Sequence, residues 1–280
     1  MTTWIITGCS TGLGRALAET VLKRGWNAVV TARDVSTIQD FATSFPGTAL
    51  TLAVDVTDSQ TITNAVKIAE ENFGSIDVLV NNAGYGYRAA VEEGDEGDVD
   101  QLFATNFFGL VAMTKAVLPG MRKRRSGAIV NISSTAGRMS QPGSGYYSAT
   151  KFAVAGASDA LRKEVSPLGI SVIVAEPSGF RTDFAGRSLK QSTTVIDDYA
   201  GTAGLRRKEH DRSHGHQAGD PHRAAEAIIQ AVQSPKPPAR LPLGRDAVKR
   251  IRAELLTHIE EIDAWAEVGE SADFPEGSSV

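Results

Sequence analysis

Trp4-Ile5-Ile6-Thr7-Gly8-Cys9-Ser10-Thr11-Gly12-Leu13-Gly14, followed at helical spacing by Ala16, Leu17, Thr20, Val21 and Leu22, reads as a strand, a glycine-rich turn and a helix. Glycines allow a backbone to approach a pyrophosphate closely, and a helix N-terminus offers unpaired N–H groups to an anion. Three glycines alone are equally compatible with a tight turn that holds nothing. Working outward, apolar runs near 3–7, 27–31, 49–55, 77–81, 127–133, 170–175 and 239–243 alternate with helical patterns. After Asp58, for example, Ile62, Val66, Ala69 and Phe73 share one helical face and Gly74 stops it. The alternation predicts an α/β fold: a doubly wound parallel sheet of about seven strands with helices on both faces and ligands beyond the C-terminal strand ends.

A second constellation lies at Tyr147-Ser148-Ala149-Thr150-Lys151. Residues four apart share a helix face, so the Lys151 ammonium is expected beside the Tyr147 phenol. A free phenol titrates near pH 10, and a fixed positive charge would lower that value and make the tyrosine a proton-transfer group. Tyr146 lacks such a partner, because Thr150 stands four residues beyond it. Ser134 ends the run Ala128-Ile129-Val130-Asn131-Ile132-Ser133, where a hydroxyl at a strand end can hold a substrate oxygen.

Together these features resemble the short-chain dehydrogenase/reductase family, in its shorter single-domain branch, over most of residues 2–182. The resemblance is carried by Thr7-Gly8-x-x-x-Gly12-x-Gly14, Asp55-Val56, Asn81-Asn82-Ala83-Gly84, Asn106, Ser134, Tyr147 with Lys151, and Pro177 through Thr182. One departure is Pro177-Ser178-Gly179, where the family usually has Pro-Gly. The resemblance implies an oxidoreductase interconverting an alcohol and a ketone or aldehyde. Ser134 would bind the carbonyl oxygen, Tyr147 would transfer the proton, Lys151 would hold the nicotinamide ribose, and Asn106 would keep a proton relay. Asp55 would meet the adenine amino group. Gly8, Ser10, Thr11, Gly12, Leu13, Gly14, Val56, Asn82, Ala83, Gly84, Pro177, Gly179 and Thr182 complete the expected cofactor contacts.

Cofactor choice turns on Val29-Val30-Thr31-Ala32-Arg33-Asp34. An acid at the end of the second strand would accept from a free ribose hydroxyl, whereas an arginine would pair with a 2′-phosphate. Arg33 comes first and Ser10 could donate to the same phosphate, which favours NADP(H) over NAD(H). Asp34 is expected to cap the following helix.

The 280 residues suit one large domain, with an insertion at 184–220 expected to act as a substrate lid and a C-terminal tail at 267–280. The lid's apolar residues, such as Leu189, Val195, Ile196, Tyr199 and Leu205, are too sparse to predict firm anchoring. A substrate pocket is expected from Tyr85, Tyr87, Arg138, Met139, Tyr146 and Phe184, suggesting a medium-sized hydrophobic alcohol or ketone. A net charge of −4 gives no nucleic-acid signature, and Cys9, the single cysteine, permits no internal disulfide. No targeting segment is read at the N-terminus, and no apolar stretch is read as reaching the ~20 residues that span a bilayer. A cytoplasmic protein without membrane partners is the expectation. His210 and His214 have an i, i+4 ligand spacing, but no supporting motif accompanies them and no metal is expected. Small residues in 152–161 suggest helix packing between copies, hence a homodimer or homotetramer. A nicotinamide-recycling epimerase or dehydratase, and a catalytically silent NADP-binding regulator, are the alternative readings.

Overall fold

The computed structural model describes residues 1–186, 188–213, 215 and 217–274. Seven strands form the central sheet: β1 Thr3–Ile6, β2 Asn27–Ala32, β3 Ala49–Ala53, β4 Val78–Asn81, β6 Gly127–Ile132, β7 Ile170–Pro177 and β9 Arg240–Leu243, in the order β3-β2-β1-β4-β6-β7-β9. Every pairing is parallel. All seven lie where the sequence pattern places them. A separate two-stranded ribbon pairs β5 Gly86–Arg88 with β8 Leu189–Gln191 and has no counterpart in the sequence reading, because three-residue strands carry no measurable periodicity.

Two apolar layers sandwich the sheet. Alternation within strands sends Trp4, Ile6, Val30, Val80 and Val130 to one face, against α1 Gly12–Lys23 and α8 Pro221–Gln233. Ile5, Val29, Leu79 and Ile129 point the other way, against α3 Ser59–Phe73 and α5 Gly109–Arg124. Burial on both faces explains why these strands read as continuous apolar runs. Helix α3 is bounded as expected: Asp58 accepts from the Gln60 N–H at its start, and Gly74 takes φ 80° at its end. Two short helices also precede α5: α2 Gln39–Ser44 and α4 Glu96–Phe103.

α4, a π-helical turn at Ala104–Phe108 and α5 run on as one helix, Glu96–Arg124. By length and composition it is apolar enough to cross a membrane, contrary to the sequence reading. Leu110, Met113, Val117 and Met121 are buried, which accounts for the apolar character as core packing.

Polar side chains stitch the middle of the sheet. Asn81 donates to Asn131 Oδ1 at 2.9 Å and to Thr114 Oγ1 at 3.0 Å, and Asn131 donates to Ser158 Oγ at 2.8 Å on α6 Gly145–Val165. A second polar feature is Glu176 on β7, fully buried between Arg138 Nε at 2.7 Å and Arg240 Nη1 at 3.1 Å. Arg240 also pairs with Asp159. Removing one partner of a buried ion pair leaves an uncompensated charge. Arg240→Met should therefore destabilise the protein by about 3 kcal/mol, the lower end of the usual ~3–5 range because Arg138 still faces the carboxylate. Adding Glu176→Gln should recover part of that loss. Urea midpoints of the two variants check this, and a wild-type midpoint for Arg240→Met would refute it.

Candidate active site

The strand order reverses between β1 and β4, and beyond their C-terminal ends lies a cleft of about 1000 Å³. Such a switch point is where open α/β sheets bind ligands. Its floor at one end is the first turn. Gly8 and Gly12 have φ of 72° and 65°, and Gly14 packs so tightly that an added Cβ would lie 2.4 Å from Asn82 Nδ2 and 2.6 Å from Gly8 O. α1 begins at Thr11 without a side-chain cap and with no acid in its first turn. Its N–H groups and dipole thus face the cleft uncompensated, as an anion site requires. Gly8, Ser10, Thr11, Gly12 and Leu13 all line the cleft, whereas Gly14 supports it from beneath.

The turn is held by its neighbour. Asn82 Nδ2 donates to Thr7 O at 2.9 Å and Gly8 O at 3.0 Å, while Thr7 Oγ1 accepts from the N–H groups of Asn82 and Ala83, each at 3.0 Å. Asn82, Ala83 and Gly84 therefore brace the sheet and line the cleft. Arg33 lines it at the end of β2. Asp34 accepts from Ser36 N and Oγ, which holds its carboxyl below the usual carboxylate range and caps the turn as expected. Asp55 and Val56 also line the cleft, with Asp55 Oδ1 accepting from Thr57 N at 2.9 Å.

At the other end, Ser134 and Tyr147 both line the cleft, with the Ser134 hydroxyl near enough to the phenol to favour its ionised form. Tyr147 and Lys151 sit one turn apart on α6, both buried. Lys151 Nζ donates to Ile132 O at 2.9 Å and lies 5.7 Å from the Tyr147 ring centroid. The expected lowering of the phenol by Lys151 is not seen here. Burial pushes the phenol up from 10.0, opposed by the nearby Ser134 hydroxyl and Arg88 charge. The same burial drives Lys151 from 10.5 down to about 8. Desolvation outweighs attraction because each group has lost its water.

Asn106 occupies the π-helical turn, fully buried. Its Oδ1 accepts from Tyr85 N at 3.0 Å, and its Nδ2 donates to Tyr85 O at 2.9 Å and Thr150 Oγ1 at 3.3 Å. It clamps the loop that follows β4 to α6. The extra residue of the π turn turns the amide inward, which a helical repeat of 3.6 does not anticipate.

Pro177, Ser178, Gly179 and Thr182 line the cleft after β7. The additional Ser178 is tied to the neighbouring strand end, its N–H donating to Leu243 O at 3.2 Å. Thr182 Oγ1 accepts from Phe184 N at 3.3 Å, and the Phe184 ring stands 5.8 Å from that of Tyr147. Tyr85, Met139 and Phe184 line the cleft at the Tyr147 end. Arg138, Tyr146 and Tyr87 do not, correcting the sequence expectation. Arg138 is drawn to Glu176, Tyr146 Oη donates to Val91 O at 2.6 Å, and Tyr87 is buried with its hydroxyl accepting from Asp95 N at 3.1 Å.

The segment after Phe184 is anchored in large part by polar contacts. Buried Glu93 accepts from Arg207 Nη2 at 2.6 Å, Ile196 N at 2.9 Å and Ala90 N at 2.7 Å. Burial pushes its carboxyl up, but these donors outweigh it and hold the group below its usual range. Glu93 reads in sequence as one of two surface acids, so nothing signals its role. α7 Ala203–Ser213 carries Arg207. The side chains of His210 and His214 lie outside the described residues.

Comparisons with known proteins agree with this geometry. The short chain dehydrogenase family profile matches residues 2–193. Oxidoreductase BOA17 of Botryotinia fuckeliana is 39% identical over 268 residues, covering 95% of this chain and 97% of the relative. The crystal structure of a short-chain dehydrogenase from Streptomyces avermitilis superposes with a TM-score of 0.91 at 38% identity, covering 98% of this chain and 100% of that one. A 3-ketoacyl-(acyl-carrier-protein) reductase from Brucella melitensis, complexed with NADH, gives 0.71 at 26% identity, covering 84% of this chain and 91% of the other. With the glycine turn, the Asn82 brace and the Ser134–Tyr147–Lys151 grouping set around one cleft, the chain belongs to the short-chain dehydrogenase/reductase family of oxidoreductases.

Proposed function

We propose that this oxidoreductase uses NADP(H) to interconvert a secondary alcohol and a ketone, or a primary alcohol and an aldehyde. The observation that carries the reading is the convergence of Ser134, Tyr147 and Lys151 at the inner end of a dinucleotide-sized cleft, Lys151 one helical turn from Tyr147. The residues present fit the cofactor: a Cβ at Gly8 would lie 2.9 Å from Ala83 Cα, closing the cradle that the glycines leave open. When bound, the nicotinamide supplies a hydride to the carbonyl carbon or accepts one from the carbinol carbon.

This chain's residues do the rest. Ser134 Oγ donates to the carbonyl oxygen and fixes its position. Tyr147 Oη gives its proton to that oxygen as charge develops there, and takes it back in oxidation. Arg88 and the Ser134 hydroxyl favour the phenolate that results. Lys151 offers its ammonium to the nicotinamide ribose, and Asn106 keeps Tyr85 and Thr150 in register with the helix that bears the pair. Asp55 meets the adenine. The segment 184–220 covers the substrate end, where Tyr85, Met139, Phe184 and Leu189 favour an apolar substrate of moderate size. Phe152 and the open flank of Gly156 on α6 offer a face for assembly with other copies.

A panel of ketones and alcohols followed by NADPH absorbance tests the reading. Net turnover is expected, and a cofactor that is bound but never consumed would point to an epimerase or a silent binder. Within that assay Tyr147→Phe should lower turnover by about 10²–10⁴-fold with NADPH affinity nearly unchanged, since only the phenolic oxygen is lost. Tyr146→Phe should retain most of the turnover, its hydroxyl serving only Val91 O. Near wild-type rates for Tyr147→Phe would remove it from the mechanism.

Arg33 distinguishes the cofactors. The Brucella melitensis relative holds NADH on a similar fold. In this chain Arg33 and Asp34 both line the cleft at the end of β2, and Asp34 is engaged with Ser36, which leaves Arg33 to meet a phosphate. Arg33→Ala should weaken NADPH by roughly tenfold or more and leave NADH little changed. Equal wild-type affinities for the two, measured by fluorescence titration, would contradict the assignment.

Lys151 also leaves a mark on stability. Its folded pKa of about 8 lies below the unfolded value of 10.5, so the unfolded chain binds more protons between those values and stability rises with pH there. The penalty for the buried ammonium, on the order of 3 kcal/mol, is present in full below pH 8 and is relieved above it. Relative to Lys151→Met, the wild-type protein should therefore gain stability as the pH is raised from 8 towards 10. Parallel unfolding curves for the two proteins across that window would show that the lysine is not desolvated.

A further inference from the structure

α9, Arg245–Glu270, is the longest helix of the chain, roughly 39 Å at 1.5 Å per residue. It meets the body mainly through its first turns, where Ala247 and Ile251 pack on Met139. From Leu255 onward every residue is exposed except Ala266, which is half-buried. This stretch is nevertheless apolar on one side. Val248, Leu255 and Ile262 repeat every seven residues, and Ile259 and Trp265 fall three or four residues from them. Ile262 and Trp265 are 67% and 68% exposed. A helical extension of this length is marginal by itself in water and draws its stability from packing an apolar face. Among the described residues, nothing in the chain covers that face.

Charge along the helix identifies what does. Up to residue 252 it carries Arg245, Lys249, Arg250 and Arg252 against Asp246. From 253 to 270 it carries Glu254, Glu260, Glu261, Asp263, Glu267 and Glu270, with no Lys or Arg. We propose that α9 is a self-association surface, on which the same helix of a second copy lies antiparallel about a two-fold axis. In that arrangement the apolar stripes meet, and each acidic half lies over the partner's basic half. A parallel pair would instead set six carboxylates against six. An anionic lipid surface is disfavoured by the same acidic half, because interfacial helices rely on Lys and Arg flanking their apolar side. The pairing is isologous, as a closed dimer needs. It also bears on the cleft, since Arg250 and Met139 both line it and α9 packs on Met139.

This surface is distinct from the α6 face, so the test reads a step in assembly, not an absolute state. Sedimentation equilibrium of the full chain at micromolar concentration should show the Leu255→Asp/Ile262→Asp variant at half the wild-type mass, with its thermal midpoint retained. Two further variants fix the geometry and do not depend on an apolar substitution. Asp263→Lys/Glu267→Lys and Lys249→Glu/Arg252→Glu should each self-associate roughly tenfold more weakly than wild type, and their equimolar mixture should recover the wild-type mass. Identical masses for wild type and Leu255→Asp/Ile262→Asp at every concentration would overturn the proposal. So would unchanged self-association of the two charge variants, or a wild-type chain that does not change mass but co-sediments with phosphatidylcholine vesicles.

Discussion

Asn82 holds the molecule's two halves in the relation on which its cleft depends. Strands on either side of the β1–β4 junction are connected in opposite directions, so their loops diverge there and leave a crevice. A crevice between diverging loops has little to fix its width. Here the amide of Asn82 spans it, binding the carbonyls of Thr7 and Gly8, and Thr7 answers through the amides of Asn82 and Ala83. Gly14 must lack a side chain because that amide occupies the space. The glycine pattern is thus partly a packing requirement imposed by a residue some seventy positions away. Its anion-binding use follows from the uncapped helix start it leaves behind.

The opposite end of the cleft is governed by desolvation. Tyr147 and Lys151 are both buried, and burial moves their titrations apart, the phenol up from 10.0 and the ammonium from 10.5 down to about 8. A proton-transfer pair is most useful when its two protonation states are close in energy near the working pH. Moving Lys151 down brings its titration closer to neutrality without any ligand. The phenol, moved up, still requires positive charge beside it, to which Arg88 already contributes. Burial, and not attraction between Tyr147 and Lys151, sets both of these directions. The prior cause is a sheet and helix packed closely enough to strip both of water, with Ile132 O accepting the ammonium that remains.

How much of this was legible in the sequence depends on the range of the interaction that sets each feature. The seven central strands were legible because each is buried on both faces, so composition alone marks it. Helix α3 was legible through a cap at Asp58, an apolar face and a positive-φ glycine, all local signals. The grouping of Ser134, Tyr147 and Lys151 could be read because a helix repeat and a strand end place them. Arg138 and Tyr146 could not be placed in this way. Both lie beside true cleft residues in sequence, and both are diverted by distant partners, Glu176 on β7 and the Val91 carbonyl. The π turn at Asn106 changes which way a side chain points without altering the apolar pattern around it.

The covering segment shows the same limit from the other side. Its few apolar residues suggested weak attachment, because anchoring is ordinarily read from hydrophobic spacing. Attachment instead runs through the β5–β8 ribbon and a carboxylate: Glu93 gathers Arg207 and the backbone of Ile196, while Ser192 bonds the Glu93 carbonyl. A buried acid with several donors is an all-or-none device, since the charge is stable only while the donors surround it. Each donor lost makes the burial of Glu93 less favourable, so the segments carrying Ile196 and Arg207 are coupled and should detach together. An apolar anchor of similar strength would yield residue by residue. The segment's polar composition is therefore what lets it be held to the body as a unit.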